Sequence, residues 1–154
     1  NEETIKEFND YRAATFQKDF YNHLKDQYEN LYSKTISRTD MKELILKVFF
    51  SRNFAYKKEK ALFRVRYPVI TDIIFKLKKE RHNKLALCLQ RIESEIFIKR
   101  ICKRLVENNI IPITIHDSVI VLSQDKNKAI QIISETYNEI LGGVPEFEIE
   151  KLTV

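Results

Sequence analysis

Only two glycines and three prolines interrupt the 154 residues, and there is no tryptophan. A chain with so few turn-forming residues has to be built from long, uninterrupted elements. An all-β sandwich or a glycine-rich repeat, each needing turn residues at short intervals, is thereby excluded. Apolar periodicity points to helices instead. Ile5, Phe8, Tyr11 and Ala14 recur at three-residue steps and Phe16, Phe20, Leu24 and Tyr28 at four-residue steps, spacings that keep side chains on one helical face. Hydrophobic residues make up 44% of the chain, too many for a disordered segment. The length suits one domain or a piece of a larger one.

Local signals sharpen this. Ser37-Arg38-Thr39-Asp40 has the form of a capping box, a hydroxyl followed three residues later by an acid. It predicts a helix that starts at Arg38 and runs through Lys42, Leu46 and Phe50. Tyr67-Pro68 predicts a break, because the residue before proline avoids the α region. Pro68 can open the next helix, which carries Ile70, Ile73, Ile74 and Leu77. Residues 83–108 read as one long amphipathic helix with Leu85, Leu89, Ile92, Ile96, Cys102 and Leu105 on or near one stripe, ended by Asn108-Asn109. The β-branched runs 110–115 and 119–122 flank His116, Asp117 and Ser118, predicting a hairpin with that tripeptide at its tip. Asp125 and Lys126 open a last helix through Ala129, Ile132, Ile133, Tyr137 and Ile140, stopped by Gly142-Gly143. Alternating glutamate and apolar residues over 146–152 predict a strand with one wet face. The expected fold class is α+β, mostly helical, with a small antiparallel sheet (hairpin 110–122 plus strand 146–152) packed on long helices.

Lys and Arg total 27 against 22 Asp and Glu, a balance compatible with a polyanion partner without requiring one. The clusters Lys57, Lys58, Lys60 and Lys76, Lys78, Lys79, Arg81 read most simply as solvated helix faces. No apolar run reaches the ~18–20 residues of a membrane span. The opening Asn1-Glu2-Glu3 has neither the basic nor the apolar part of a secretion signal, so no membrane partner is expected. The missing initiator methionine suggests a processed chain or an excised fragment. Cys88 and Cys102 on one straight helix stand about 21 Å apart, beyond disulfide reach. They read as free, buried thiols of a reducing compartment, with no zinc pattern.

The hairpin tip carries the chemistry. Polar residues between two strongly apolar strands put the Asp117 carboxylate on a rigid platform. Two-metal phosphoryl transfer needs such placement, because two Mg²⁺ about 3.5–4 Å apart must be held by carboxylates that cannot swing away. Taken alone, His-Asp-Ser is also an ordinary polar turn. Its surroundings add to it. Gln90-Arg91-Ile92-Glu93-Ser94-Glu95, a helix, Ile113-Thr114-Ile115-His116-Asp117-Ser118, another helix, then Val144-Pro145-Glu146-Phe147-Glu148-Ile149-Glu150 together resemble the C-terminal palm of family A DNA polymerases. The resemblance covers about residues 84–152, in order and with similar spacing. Upstream, that family's fingers helix bears an arginine, a lysine four later and an aromatic eight after the lysine; Arg38, Lys42 and Phe50 stand at those spacings.

The resemblance implies a fingers-like helical region over 1–81 and a palm region over 82–154. Asp117 would bind Mg²⁺ and His116 would sit near the primer terminus. Arg38 and Lys42 would grip the phosphates of an incoming nucleoside triphosphate, Phe50 would stack on its base, and Gln90 would touch the minor groove of primer–template DNA. The reaction implied is attack of a primer 3′-hydroxyl on the α-phosphate, in a cytoplasmic setting of bacterial, plasmid or phage type. The sequence departs from the family at Ser118, where the DNA enzymes have glutamate and phage-type single-subunit RNA polymerases have serine. It departs also at Leu46, Phe50, Ser51 and Arg91. The short ending favours the DNA enzymes over the RNA ones. The family's other metal-binding aspartate lies on a strand upstream of the segment Asp19-Phe20-Tyr21 resembles, and that strand is missing here. The chain alone is therefore expected not to polymerise and to work with the remainder of a longer chain.

A non-catalytic nucleic-acid-binding module is the alternative from another class, based on the net charge, the two basic clusters and the missing aspartate. A His-Asp phosphohydrolase would need further histidine ligands, and only His23 and His82 remain. A Ser-His-Asp hydrolase fits less well still, because Ser118 is adjacent to Asp117 and His116, and neighbours in an extended turn cannot line up as a triad.

Overall fold

The computed structural model describes residues 2–16, 20–115 and 118–152. The architecture is α+β, mostly helical, with one two-stranded antiparallel sheet among the described residues. The chain forms two compact units: Asn1–Leu87 together with Glu146–Val154, and Cys88–Pro145.

The first unit is built from α1 (Glu2–Phe16), α2 (Phe20–Tyr32), α3 (Arg38–Phe50), α4 (Lys57–Arg66) and α5 (Pro68–Leu77). α3 supplies the core with Met41, Leu44, Ile45 and Val48, the i, i+3, i+4, i+7 pattern of a helix with one buried face. They join Leu24, Leu62 and Phe63 in a single apolar cluster. Tyr67 fills the α4–α5 junction, edge-on to Tyr11 at 5.1 Å and tilted against Phe63 at 5.3 Å. Pro68 opens α5 as the sequence predicts. The free N–H groups of Val69 and Ile70 donate to the Glu7 carboxylate at 3.1 and 2.8 Å. That carboxylate, on α1, satisfies orphan donors and sits at the positive end of the α5 dipole. The α1 stripe is covered only in its second half: Tyr11 packs and Ala14 is buried, while Ile5 and Phe8 stay exposed.

Two members of the lysine clusters are not solvated. Lys60 and Lys78 are each 3% exposed, and both ammonium groups point at the end of α3. Lys60 Nζ donates to Ser51 Oγ at 2.8 Å, to the Ala55 carbonyl at 2.6 Å and to the Arg52 carbonyl. Lys78 Nζ donates to the carbonyls of Val48 and Ser51 at 2.8 and 3.0 Å. A helix end leaves its last carbonyls without intrahelical partners and carries negative partial charge, and two cations meet that need. Their neighbours Lys57, Lys58, Lys76, Lys79 and Arg81 are exposed, as expected.

The division between units falls within α6 (Lys84–Ile96). A π-helical segment (Phe97–Cys102), α7 (Lys103–Glu107), β1 (Ile113–Ile115), β2 (Ser118–Ile120), a short 3-10 turn (Ser123–Asp125) and α8 (Lys126–Leu141) follow. The helix expected over 83–108 is thus continuous in extent and interrupted in kind. π turns hold more residues than α turns, so they rotate the apolar stripe. Phe97, Ile101 and Leu105 are buried with Ala129, Ile132 and Ile133 of α8, whereas Leu89 and Ile92 remain exposed. Cys102 falls beside the buried face; both cysteines are free and half-buried, not fully buried. Arg104 ties α7 to α8 through both Glu139 carboxylate oxygens, at 2.9 and 3.1 Å, and through Thr136 Oγ1 at 2.9 Å. Gly142 ends α8 in the left-handed conformation, φ 65°, where glycine avoids a Cβ clash.

The strand expected over 146–152 is not formed; those residues carry no regular structure and group with the first unit. Alternation decides which side chains share a face but supplies no partner for the backbone ladder. The hairpin is shorter than expected, with Ile113, Thr114 and Ile115 opposite Ile120, Val119 and Ser118. Ser118 is therefore a strand residue and not part of the tip; the other two expected tip residues, His116 and Asp117, lie outside the described residues.

Candidate functional site

α3 begins where its capping box predicts. Ser37 Oγ accepts the Asp40 N–H at 3.0 Å and donates to the Asp40 carboxylate at 2.7 Å, closing the first turn. Because Met41, Leu44, Ile45 and Val48 face inward, Arg38, Lys42, Leu46 and Phe50 fall on the exposed side. At 1.5 Å per residue they extend over about 18 Å of helix. The structure thus brings the three fingers candidates onto one open face. The Arg38 guanidinium lies 5.2 Å above the Tyr21 ring, which is braced edge-to-face against buried Phe20 at 5.4 Å. Neither Arg38 nor Lys42 has an ion-pair partner among the described residues. Phe50 meets Phe49 edge-on at 6.3 Å and is otherwise open.

Electrostatics give this face its character. The start of a helix carries positive partial charge and unpaired N–H groups. Two cations there are repelled by the helix and attract anions from outside it. The other end of α3 has the opposite arrangement. Burial pulls the Lys78 ammonium down to about 8, with the charge of Lys60 adding to the effect; burial lowers Lys60 as well, against the pull of Glu59. A cleft of about 410 Å³ between α2, α3 and α4, lined by Tyr28, Tyr32, Asp40, Glu43, Lys47 and Lys58, holds none of the expected site residues.

In the second unit, Gln90 is exposed on α6 and Ser118 is exposed at the start of β2. His116 and Asp117, the catalytic and metal-binding candidates, lie outside the described residues, as does Asp19. Among the described residues no group of three or more His, Cys, Asp or Glu could hold a metal ion. A carboxylate such as Asp117 has the oxygen donors Mg²⁺ prefers, and a two-metal site needs at least one more of them. No helix among the described residues is long and apolar enough to cross a membrane.

No protein-family model, curated protein or solved structure matches the chain.

Three residues around α3 escape a reading of the sequence. Tyr21 belongs to a different helix from Arg38, and nothing in either segment signals their pairing. Lys60 and Lys78 look like members of charged runs, and only the packing of α4 and α5 reveals that they turn inward.

Proposed function

We propose that the chain is the fingers-and-palm portion of a family A-type, template-directed DNA polymerase, acting in a bacterial, plasmid or phage cytoplasm. The observation that carries the reading is α3, a helix capped at Ser37 that holds Arg38, Lys42 and Phe50 on one open face. Cations near a helix start suit a triphosphate, and an open aromatic farther along suits a base. In this reading Arg38 and Lys42 take the phosphates, Phe50 stacks on the incoming base, and Gln90 contacts the primer–template minor groove. Asp117 binds Mg²⁺ with His116 beside the primer terminus. The second metal-binding carboxylate comes from outside these 154 residues. The metals would neutralise charge on the transferring phosphate, and the protein's share is mainly positioning.

The test is Mg²⁺-dependent primer extension by this chain and by a form carrying its native upstream sequence, with Asp117→Asn as control in the longer form. Extension by the longer wild-type form alone is expected. Ribonucleotides used as readily as deoxynucleotides would shift the reading to the single-subunit RNA polymerases, as Ser118 suggests. Extension by neither form, with primer–template still bound by both, would leave a non-catalytic nucleic-acid-binding module.

A further inference from the structure

We infer that Tyr21 is a positioning residue for Arg38, holding its guanidinium over the ring so that its N–H groups stay open to a polyphosphate. The inference rests on the reading of α3 as a triphosphate seat and adds a residue on a different helix. An exposed arginine otherwise wanders through many rotamers. Here its Cζ lies over the Tyr21 ring, 5.2 Å from the centroid, and that ring is itself half-buried and packed edge-to-face on Phe20.

The type of contact matters. A carboxylate partner would occupy the same N–H donors that an anion needs. An aromatic ring attracts the guanidinium through its π face and does not occupy the N–H donors as a carboxylate does. The neighbouring helix pairs Lys25 with Glu29, and α3 itself pairs Lys47 with Glu43, so acids are employed elsewhere on this surface. Arg38 is held by a ring. The Tyr21 hydroxyl plays no part in this, and a phenylalanine should serve as well.

The experiment is calorimetric titration of inorganic triphosphate into the 154-residue chain and its variants. Arg38→Ala should weaken binding about tenfold or more, the scale of a charge-assisted contact. Tyr21→Leu should weaken it about two- to fivefold, the scale of an exposed cation–π contact, and Tyr21→Phe should match the wild type. Tyr21→Leu should add nothing in the Arg38→Ala background. If Tyr21→Leu binds like the wild type, or its effect adds fully to that of Arg38→Ala, the positioning role is overturned while the triphosphate seat stands. If Arg38→Ala leaves binding unchanged, the seat and the positioning role fall together. A further readout needs no variant: the Arg38 Nε–H resonance of the wild type should show an aromatic ring-current displacement, and an ordinary arginine position would overturn the contact.

Discussion

The two ends of α3 treat positive charge in opposite ways. At the end, Lys60 and Lys78 are buried and spend their donors on oxygens of 48, 51, 52 and 55, where a cation complements the helix dipole. At the start, Arg38 and Lys42 stand in the open beside the positive pole, where a cation gains nothing from the helix. The first arrangement is a means of stability. The second leaves both cations open to solvent and to an approaching anion. The difference separates residues that build this helix from residues it presents.

If that division is right, stability should respond at one end and binding at the other. The largest loss should come from Lys60→Met, which keeps the apolar stem and removes the donors to Ser51, Arg52 and Ala55. About 2–3 kcal/mol of unfolding free energy should go in urea titration; an unchanged midpoint would mean that something else holds the segment after α3. Ser37→Ala should cost about 1 kcal/mol through the lost cap, showing that the start of α3 is stabilised by its hydroxyl and not by its cations.

A pH series sharpens the same point. Lys78 is held at about 8 in the folded chain against an ordinary value of 10.5. Between those values the unfolded state binds more protons, so stability should rise with pH above about 8. The neutral amine keeps two N–H groups, enough for the Val48 and Ser51 carbonyls. Between pH 8 and about 9.5 the wild type should gain on the order of 1 kcal/mol relative to Lys78→Met. The range stops there because Tyr11, pushed up to about 12 by burial, works in the opposite direction at higher pH. Identical slopes for wild type and variant would contradict the assignment. The smallest effect is expected from Arg38→Ala: the lost contact with Tyr21 and the relieved repulsion from the helix start act in opposite senses, so the unfolding free energy should change by less than about 0.5 kcal/mol. A loss above 1 kcal/mol would make Arg38 a structural residue and erase the contrast.

The sequence announces what depends on short-range chemistry. Ser37 with Asp40, Pro68 and Gly142 mark element ends because caps and fixed φ angles act within a few residues. The shared face of Arg38, Lys42 and Phe50 follows from helical periodicity alone. What escapes depends on partners far along the chain. Lys60 and Lys78 are indistinguishable from their exposed neighbours until α4 and α5 pack beside the end of α3. The π segment at Phe97–Cys102 leaves no mark in a pattern already apolar on several sides. Residues 146–152 have the alternation of a strand but no ladder to join. The contact between Tyr21 and Arg38 becomes visible only once α2 and α3 are placed together.

The open face of α3 is where a triphosphate would bind or fail to bind. The deciding measurement is a titration of a Mg²⁺-bound deoxynucleoside triphosphate into the wild type and into the Arg38→Ala, Lys42→Ala double variant, with the unfolding midpoint of each recorded alongside. Binding by the wild type, a loss of at least about tenfold in the double variant, and matching midpoints are expected if the open face is a triphosphate seat. Equal affinity in the two proteins would contradict it.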